Sequence, residues 1–140
     1  MGAKLAPAQS VVMQATRLTQ VFIVEDSPSI RIRLAQLITS SGAVAIAGEA
    51  ASASEAIPAI LRVRPDSVLI DLNLMGSTGI DVMRKVCPQA PEIVFVVLTN
   101  HFEPQYRDAC LDAGARYFLD KSRDLDQVPR VIAEIAATRH

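Results

Sequence analysis

Tryptophan is absent from this chain and aromatic residues make up only 4% of it, although 50% of its 140 residues are hydrophobic. Its interior must therefore be built from Val, Ile, Leu and Ala, the palette of a parallel sheet covered by helices. Neither sign of charge is in excess: 14 Lys and Arg stand against 15 Asp and Glu, for a formal net charge of −1. That balance gives no electrostatic case for direct nucleic-acid binding or for an anionic membrane surface. Cysteine is scarce as well. Cys87 and Cys110 have no CxxC spacing and no neighbouring His pair, which argues against a structural zinc site or a disulfide framework and leaves two reduced packing thiols. No apolar run approaches the roughly 18 to 20 residues of a membrane span, and the N-terminus lacks the basic region and apolar core of a signal peptide. A cytoplasmic protein is expected. At this length one domain can bury a sizeable core without disulfide or metal staples.

What is present is an alternation. Residues 1–19, rich in Ala, Gln, Ser and Thr, read as a flexible N-terminal tail. From Gln20 onward, apolar runs of strand length appear at Val21–Val24, Val44–Ala47, Val68–Ile70, Ile93–Leu98 and Tyr117–Leu119, with helical spacing between them. Ile30, Leu34, Leu37 and Ile38 form the first helical stripe, capped by Ser27 with Pro28 in the first turn and stopped at Ser41-Gly42. Ile57, Ile60 and Leu61 form the second, where Pro58 should kink or delay the helix. Ile80, Met83 and Val86 form the third, and Tyr106, Cys110 and Leu111 the fourth. Val128, Val131, Ile132 and Ile135 form the fifth, with Asp124 or Asp126 as the expected cap ahead of Pro129.

Strands separated by helices run parallel, and right-handed crossovers cover both faces. The expected fold is thus α/β: a doubly wound, five-stranded parallel sheet. Its site lies outside the carboxyl ends of the strands. Glu25 and Asp26 follow the first strand, Asp71 the third, Thr99 the fourth and Lys121 the fifth. Three carboxylates, a hydroxyl and an ammonium should converge there. Clustered like charges repel, raise pKa values and invite a cation, and oxygen-only donors favour a hard ion, Mg²⁺ over Ca²⁺ where waters are retained.

The segments VFIVEDSPSIRIRL, LIDLNLMGSTGIDVMRKV, VVLTN and YFLDKS, in that order on a five-fold strand–helix chain, resemble the receiver domain of two-component response regulators, of the stand-alone, chemotaxis-regulator-like type. The resemblance covers residues 20–140. It implies a flavodoxin-like (βα)5 fold with strand order 2-1-3-4-5. It implies Asp71 as phosphoacceptor, Glu25 and Asp26 as the acidic pair, Lys121 as the phosphate-binding lysine and Thr99 as the switch hydroxyl. Mg²⁺ would be held by Asp26, Asp71, the Asn73 backbone carbonyl and, through water, Glu25. Phe118 matches the aromatic that turns inward on activation, changing the face of the fourth helix, last strand and fifth helix. The implied phosphodonor is a phosphohistidine on a sensor histidine kinase or phosphotransfer protein. With one helix after Lys121 and no output domain expected, the signal would pass to a downstream output protein or through a homodimer contact. The chain would catalyse only its own phosphorylation and dephosphorylation.

Three positions depart from the pattern. Met75 and Ser122 stand where many relatives have Pro; the first should loosen the loop and the second argues against a cis Lys121-Ser122 peptide. His101, two residues past Thr99, would line the mouth of the site and tune access to it. Other readings fit less well. A Mg²⁺-dependent aspartyl-phosphate hydrolase needs an acid where Asn73 stands, and a flavin or nucleotide binder needs a phosphate loop where Glu25-Asp26 stands. A receiver fold used as a binding module without phosphotransfer stays open.

Overall fold

Five runs of aliphatic residues, each too short for a stable isolated helix, gain most by pairing with one another and burying both faces. In the computed structural model, which describes residues 18–101 and 103–138, they form β1 (Thr19–Val24), β2 (Val44–Ala50), β3 (Ser67–Asp71), β4 (Val94–Thr99) and β5 (Ala115–Asp120). All pair in parallel in the order β2-β1-β3-β4-β5. That is the expected order of the doubly wound sheet. The expected N-terminal tail falls outside the described residues up to position 17, and Thr19 already belongs to β1.

The helices are α1 (Pro28–Thr39), α2 (Ala53–Val63), α3 (Gly79–Val86), α4 (Pro104–Ala113) and α5 (Val128–Ala137). Period-two alternation splits the core into two layers. Phe22, Val24, Val68, Ile70, Phe95 and Val97 pack with Ala56 and Ile60 of α2, Val82 and Met83 of α3 and Cys110 of α4. Val21, Ile23, Leu69, Val96 and Leu98 face the other way, onto Leu34 and Ile38 of α1 and Val131, Ile132 and Ile135 of α5. Each buried aliphatic side chain contributes about 1.5–3 kcal/mol. Every residue of β3 and β4 is buried, so the strands that carry Asp71 and Thr99 are the most fully enclosed of the sheet.

Three local expectations are corrected. Pro58 does not delay α2, which starts at Ala53 under a Ser52 cap and runs on to Val63. Only the Ser54 carbonyl loses a helical partner, and both Ser54 and Pro58 are exposed, so water can serve it. The fourth apolar stripe is not Tyr106, Cys110 and Leu111: Cys110 is buried, but Tyr106 and Leu111 are 38% and 39% exposed. Half-buried Ala109 and Ala113 flank Cys110 instead; small side chains let the helix lie close to the sheet and leave its large ones outside. Neither Asp124 nor Asp126 caps α5. A 3₁₀ turn (Leu125–Gln127) leads into it, and the Val128 N–H bonds back to the Leu125 carbonyl.

Candidate functional site

The carboxyl ends of β1, β3, β4 and β5 bring the chemistry together. Glu25 follows β1 directly; its N–H donates to the Ala50 carbonyl at 3.0 Å, fastening it to the end of β2. Asp71 is the last residue of β3 and is 7% exposed. Thr99 ends β4 and is fully buried. Lys121 follows β5, where its N–H donates to the Thr99 carbonyl at 2.9 Å. Its ammonium lies 2.6 Å from Glu25 Oε1 and 2.9 Å from Asp71 Oδ2. One oxygen each from Glu25, Asp26 and Asp71 lies within 4.8 Å of the others. Three carboxylates thus meet one ammonium, leaving negative charge in excess and a set of hard oxygen donors that fits Mg²⁺.

Burial sets the protonation balance. Glu25 is only 2% exposed. Desolvation pushes its carboxyl above the usual range, against the opposing pull of Lys121 and of the Ser27 N–H that donates to Oε2 at 3.0 Å. Burial pulls the Lys121 pKa down, but the hydrogen bonds to Glu25 and Asp71 outweigh it and hold the pKa above the usual lysine value. Lys121 is therefore a fixed cation at neutral pH.

The loop after β3 explains its two glycines differently from a simple approach to the site. Asn73–Leu74 and Ser77–Thr78 form a small antiparallel ladder turned by Met75-Gly76, and Gly76 has φ +70°, which favours glycine. Met75 sits in that turn, 67% exposed. Gly79 instead packs behind Asp71: a β-carbon there would lie 2.5 Å from the Asp71 carbonyl oxygen. Thr78 caps α3 through a reciprocal box with Asp81. The Asn73 N–H donates to Asp71 Oδ1 at 3.3 Å, which aims the carboxylate.

The remaining candidates are spread around this centre. The His101 N–H donates to Thr99 Oγ1 at 3.0 Å, but its ring lies 5.2 Å from that of Tyr106, centroid to centroid, on the α4 side. Phe118 is half-buried against the core layer beneath α2, α3 and α4. Ser122 donates through its N–H (2.9 Å) and hydroxyl (2.8 Å) to Asp120 Oδ1, and no peptide among the described residues is cis. An Asp-turn does here what a proline would do in shaping the loop after Lys121. One contributor escaped the sequence: Arg31, whose Nη1 donates to the Glu25 carbonyl at 2.6 Å. Arg31 carried one readable signal, a cation close to a helix N-terminus, where the dipole disfavours it.

A family profile for the response regulator receiver domain matches residues 21–133. The chain belongs to that family. Among its relatives, the Pseudomonas aeruginosa protein-glutamate methylesterase/protein-glutamine glutaminase 1 is 32% identical over 127 residues, covering 85% of this chain and 34% of that protein. The protein of the same name from Syntrophus aciditrophicus is 28% identical, covering 87% and 39%. This receiver thus spans little more than a third of either relative. The receiver domain of the response regulator NarL from Mycobacterium tuberculosis superposes with a TM-score of 0.81 at 25% identity, covering 88% of this chain and 99% of that one. Among the described residues no helix is long and apolar enough to cross a membrane.

Proposed function

We propose that this receiver accepts a phosphoryl group on Asp71 from a phosphohistidine, carried by a sensor histidine kinase or a phosphotransfer protein in the cytoplasm. The observation that carries the reading is the Lys121 ammonium, held between Glu25 and Asp71 where three carboxylates converge at the strand ends. An Asp71 carboxylate oxygen attacks phosphorus, the P–N bond breaks and the imidazole leaves with the electron pair, taking up a proton. Phosphoryl transfer depends mostly on positioning and charge neutralisation. Glu25, Asp26, Asp71 and the Asn73 carbonyl would hold Mg²⁺, which when bound supplies the neutralising charge that lets an anionic acceptor meet an anionic donor. Lys121 stays within reach of Asp71 and so of a phosphoryl oxygen attached to it. Thr99, one residue beyond the Asp71–Leu98 pairing on β4, offers its hydroxyl proton to another. Water attacking phosphorus later restores Asp71, so the mark is temporary.

Readout would run through Thr99 and Phe118 to the face of α4, β5 and α5, met by an output protein or a second copy. This is a local charge change biasing a two-state element. The test is intact mass after incubation with a small-molecule phosphodonor and Mg²⁺. A Mg²⁺-dependent gain of one phosphoryl group, absent in Asp71→Asn, is expected. No gain in the wild type, with Mg²⁺ binding confirmed separately, would leave a receiver fold acting as a binding module.

A further inference from the structure

We propose that Arg31 is a positioning residue of the acidic site, orienting the Glu25–Asp26 peptide so that Asp26 can share a cation with Asp71; this rests on the reading of the site given above. Arg31 Nη1 donates to the Glu25 backbone carbonyl at 2.6 Å, and its Nε lies 3.3 Å from Glu49 Oε1. The carbonyl it holds belongs to the peptide that joins the two acidic residues. Every other polar group of Glu25 is also engaged: the N–H by the Ala50 carbonyl, the carboxylate by Lys121 and the Ser27 N–H. Arg31 closes that set. Because Glu49 stands on β2 beside Ile23 of β1, one planar guanidinium ties together α1, the tip of β1 and the end of β2. A lysine has no such rigid fork.

The charge arrangement supports the assignment. A lone cation this near the carboxylates would compete with a metal, but Glu49 pairs with it, so the carbonyl gains a strong donor at little net charge. Arg31 is also 21% exposed at its side chain and Glu49 42%, so the exposed pair alone would contribute little stability. It also occupies the fourth position of α1, where the helix dipole disfavours a cation. Both points leave the bond to the Glu25 carbonyl as what the side chain accomplishes.

The sign of one measurement separates positioning from charge. Electrostatics alone says that Arg31→Ala, by removing a cation near an anionic site, tightens Mg²⁺ binding. Loss of positioning says that it weakens binding, by about 10-fold or more, as for residues that orient metal ligands. Calorimetric Mg²⁺ titration of the full chain would be done for the wild type, Arg31→Ala, Arg31→Lys and Glu49→Gln, with amide hydrogen exchange read at Glu25, whose N–H is held by the Ala50 carbonyl. We expect weakened binding and faster Glu25 exchange in Arg31→Ala, and a smaller loss in Arg31→Lys. Glu49→Gln leaves the carbonyl bond intact and only unmasks the cation, so its smaller loss should shrink as salt is added. Should Arg31→Ala not fold, Arg31→Lys decides, since it keeps the charge and loses the fork. Wild-type Mg²⁺ affinity in both arginine variants, in a protein that still takes the phosphoryl group, would overturn the role of Arg31 and leave the receiver reading standing. A wild type that binds no Mg²⁺ would remove both.

Discussion

Gly79 opens α3 directly behind Asp71, so close that a β-carbon on it would stand 2.5 Å from the Asp71 carbonyl oxygen and 3.1 Å from Ile70 Cγ1. The Gly79 N–H meanwhile donates to the Leu72 carbonyl at 2.9 Å. The main chain that presents the Asp71 carboxylate is thus backed by the first turn of the next helix. Backbone on both sides of a contact cannot rotate away as a side chain can.

Gly79→Ala should therefore displace either α3 or the Asp71 peptide. We expect a loss of about 1–3 kcal/mol in stability and a drop in phosphoryl acceptance at temperatures where the variant is still folded. Thermal unfolding and intact-mass phosphorylation, measured on the same preparation, check both. Wild-type acceptance and stability together would show that the contact is not binding on the geometry.

Lys121→Ala removes the ammonium bonded to Glu25, whose side chain is 2% exposed. Breaking a buried pair while leaving one charge behind costs about 3–5 kcal/mol. The sign with pH follows from burial: the folded Glu25 pKa lies above its ordinary value of 4.5, so its protonated form favours folding. The deficit of the variant should shrink as pH falls toward that raised pKa. Adding Glu25→Gln should recover most of the loss at pH 7. Urea unfolding of the four members of the cycle at pH 7 and pH 5 gives the coupling directly.

Cys110 is fully buried, and burial pushes its thiol pKa from 9.0 up to about 11. The unfolded chain releases this proton near pH 9 and the folded chain only near pH 11, so folding loses stability as pH rises through that window, by at most about 1.4 kcal/mol per unit. Unfolding curves of the wild type and Cys110→Ala at pH 8 and pH 10 should converge at the higher pH. Alkylation at pH 8 should spare Cys110 until the protein unfolds.

Ser67 begins β3 with its hydroxyl fully buried and, among the described residues, without a hydrogen-bond partner. An unsatisfied buried hydroxyl costs about 1–3 kcal/mol. Ser67→Ala should be neutral or stabilising by up to about 1 kcal/mol in urea unfolding, in contrast to the usual loss from a core substitution. A clear loss would mean that the hydroxyl is satisfied in solution by a trapped water.

Much of this molecule was legible in its residues because two periods and a few caps carry the information locally. The apolar runs give five strands, Ser27-Pro28 starts α1 where the cap bond to the Ile30 N–H is found at 3.4 Å, and the residues that end each strand are the ones that meet. The stripe of α4 was misread because spacing ranks residues by hydrophobicity, whereas close approach to an edge of the sheet selected Ala109, Cys110 and Ala113 by size. The start of α5 was misread because a 3₁₀ turn can supply by backbone what Asp124 or Asp126 would have supplied by side chain.

By itself, then, the sequence determined the alternation of strands and helices and the set of groups delivered to one edge of the sheet, since both follow from contacts between near neighbours along the chain. Tertiary structure alone decided which partners those groups take. Lys121 reaches Asp71 across 50 positions of sequence, Arg31 joins the ends of two strands, and Gly79 is confined by a carbonyl eight residues earlier. Those choices depend on distances of a few tenths of an ångström between segments that only the packed sheet brings side by side.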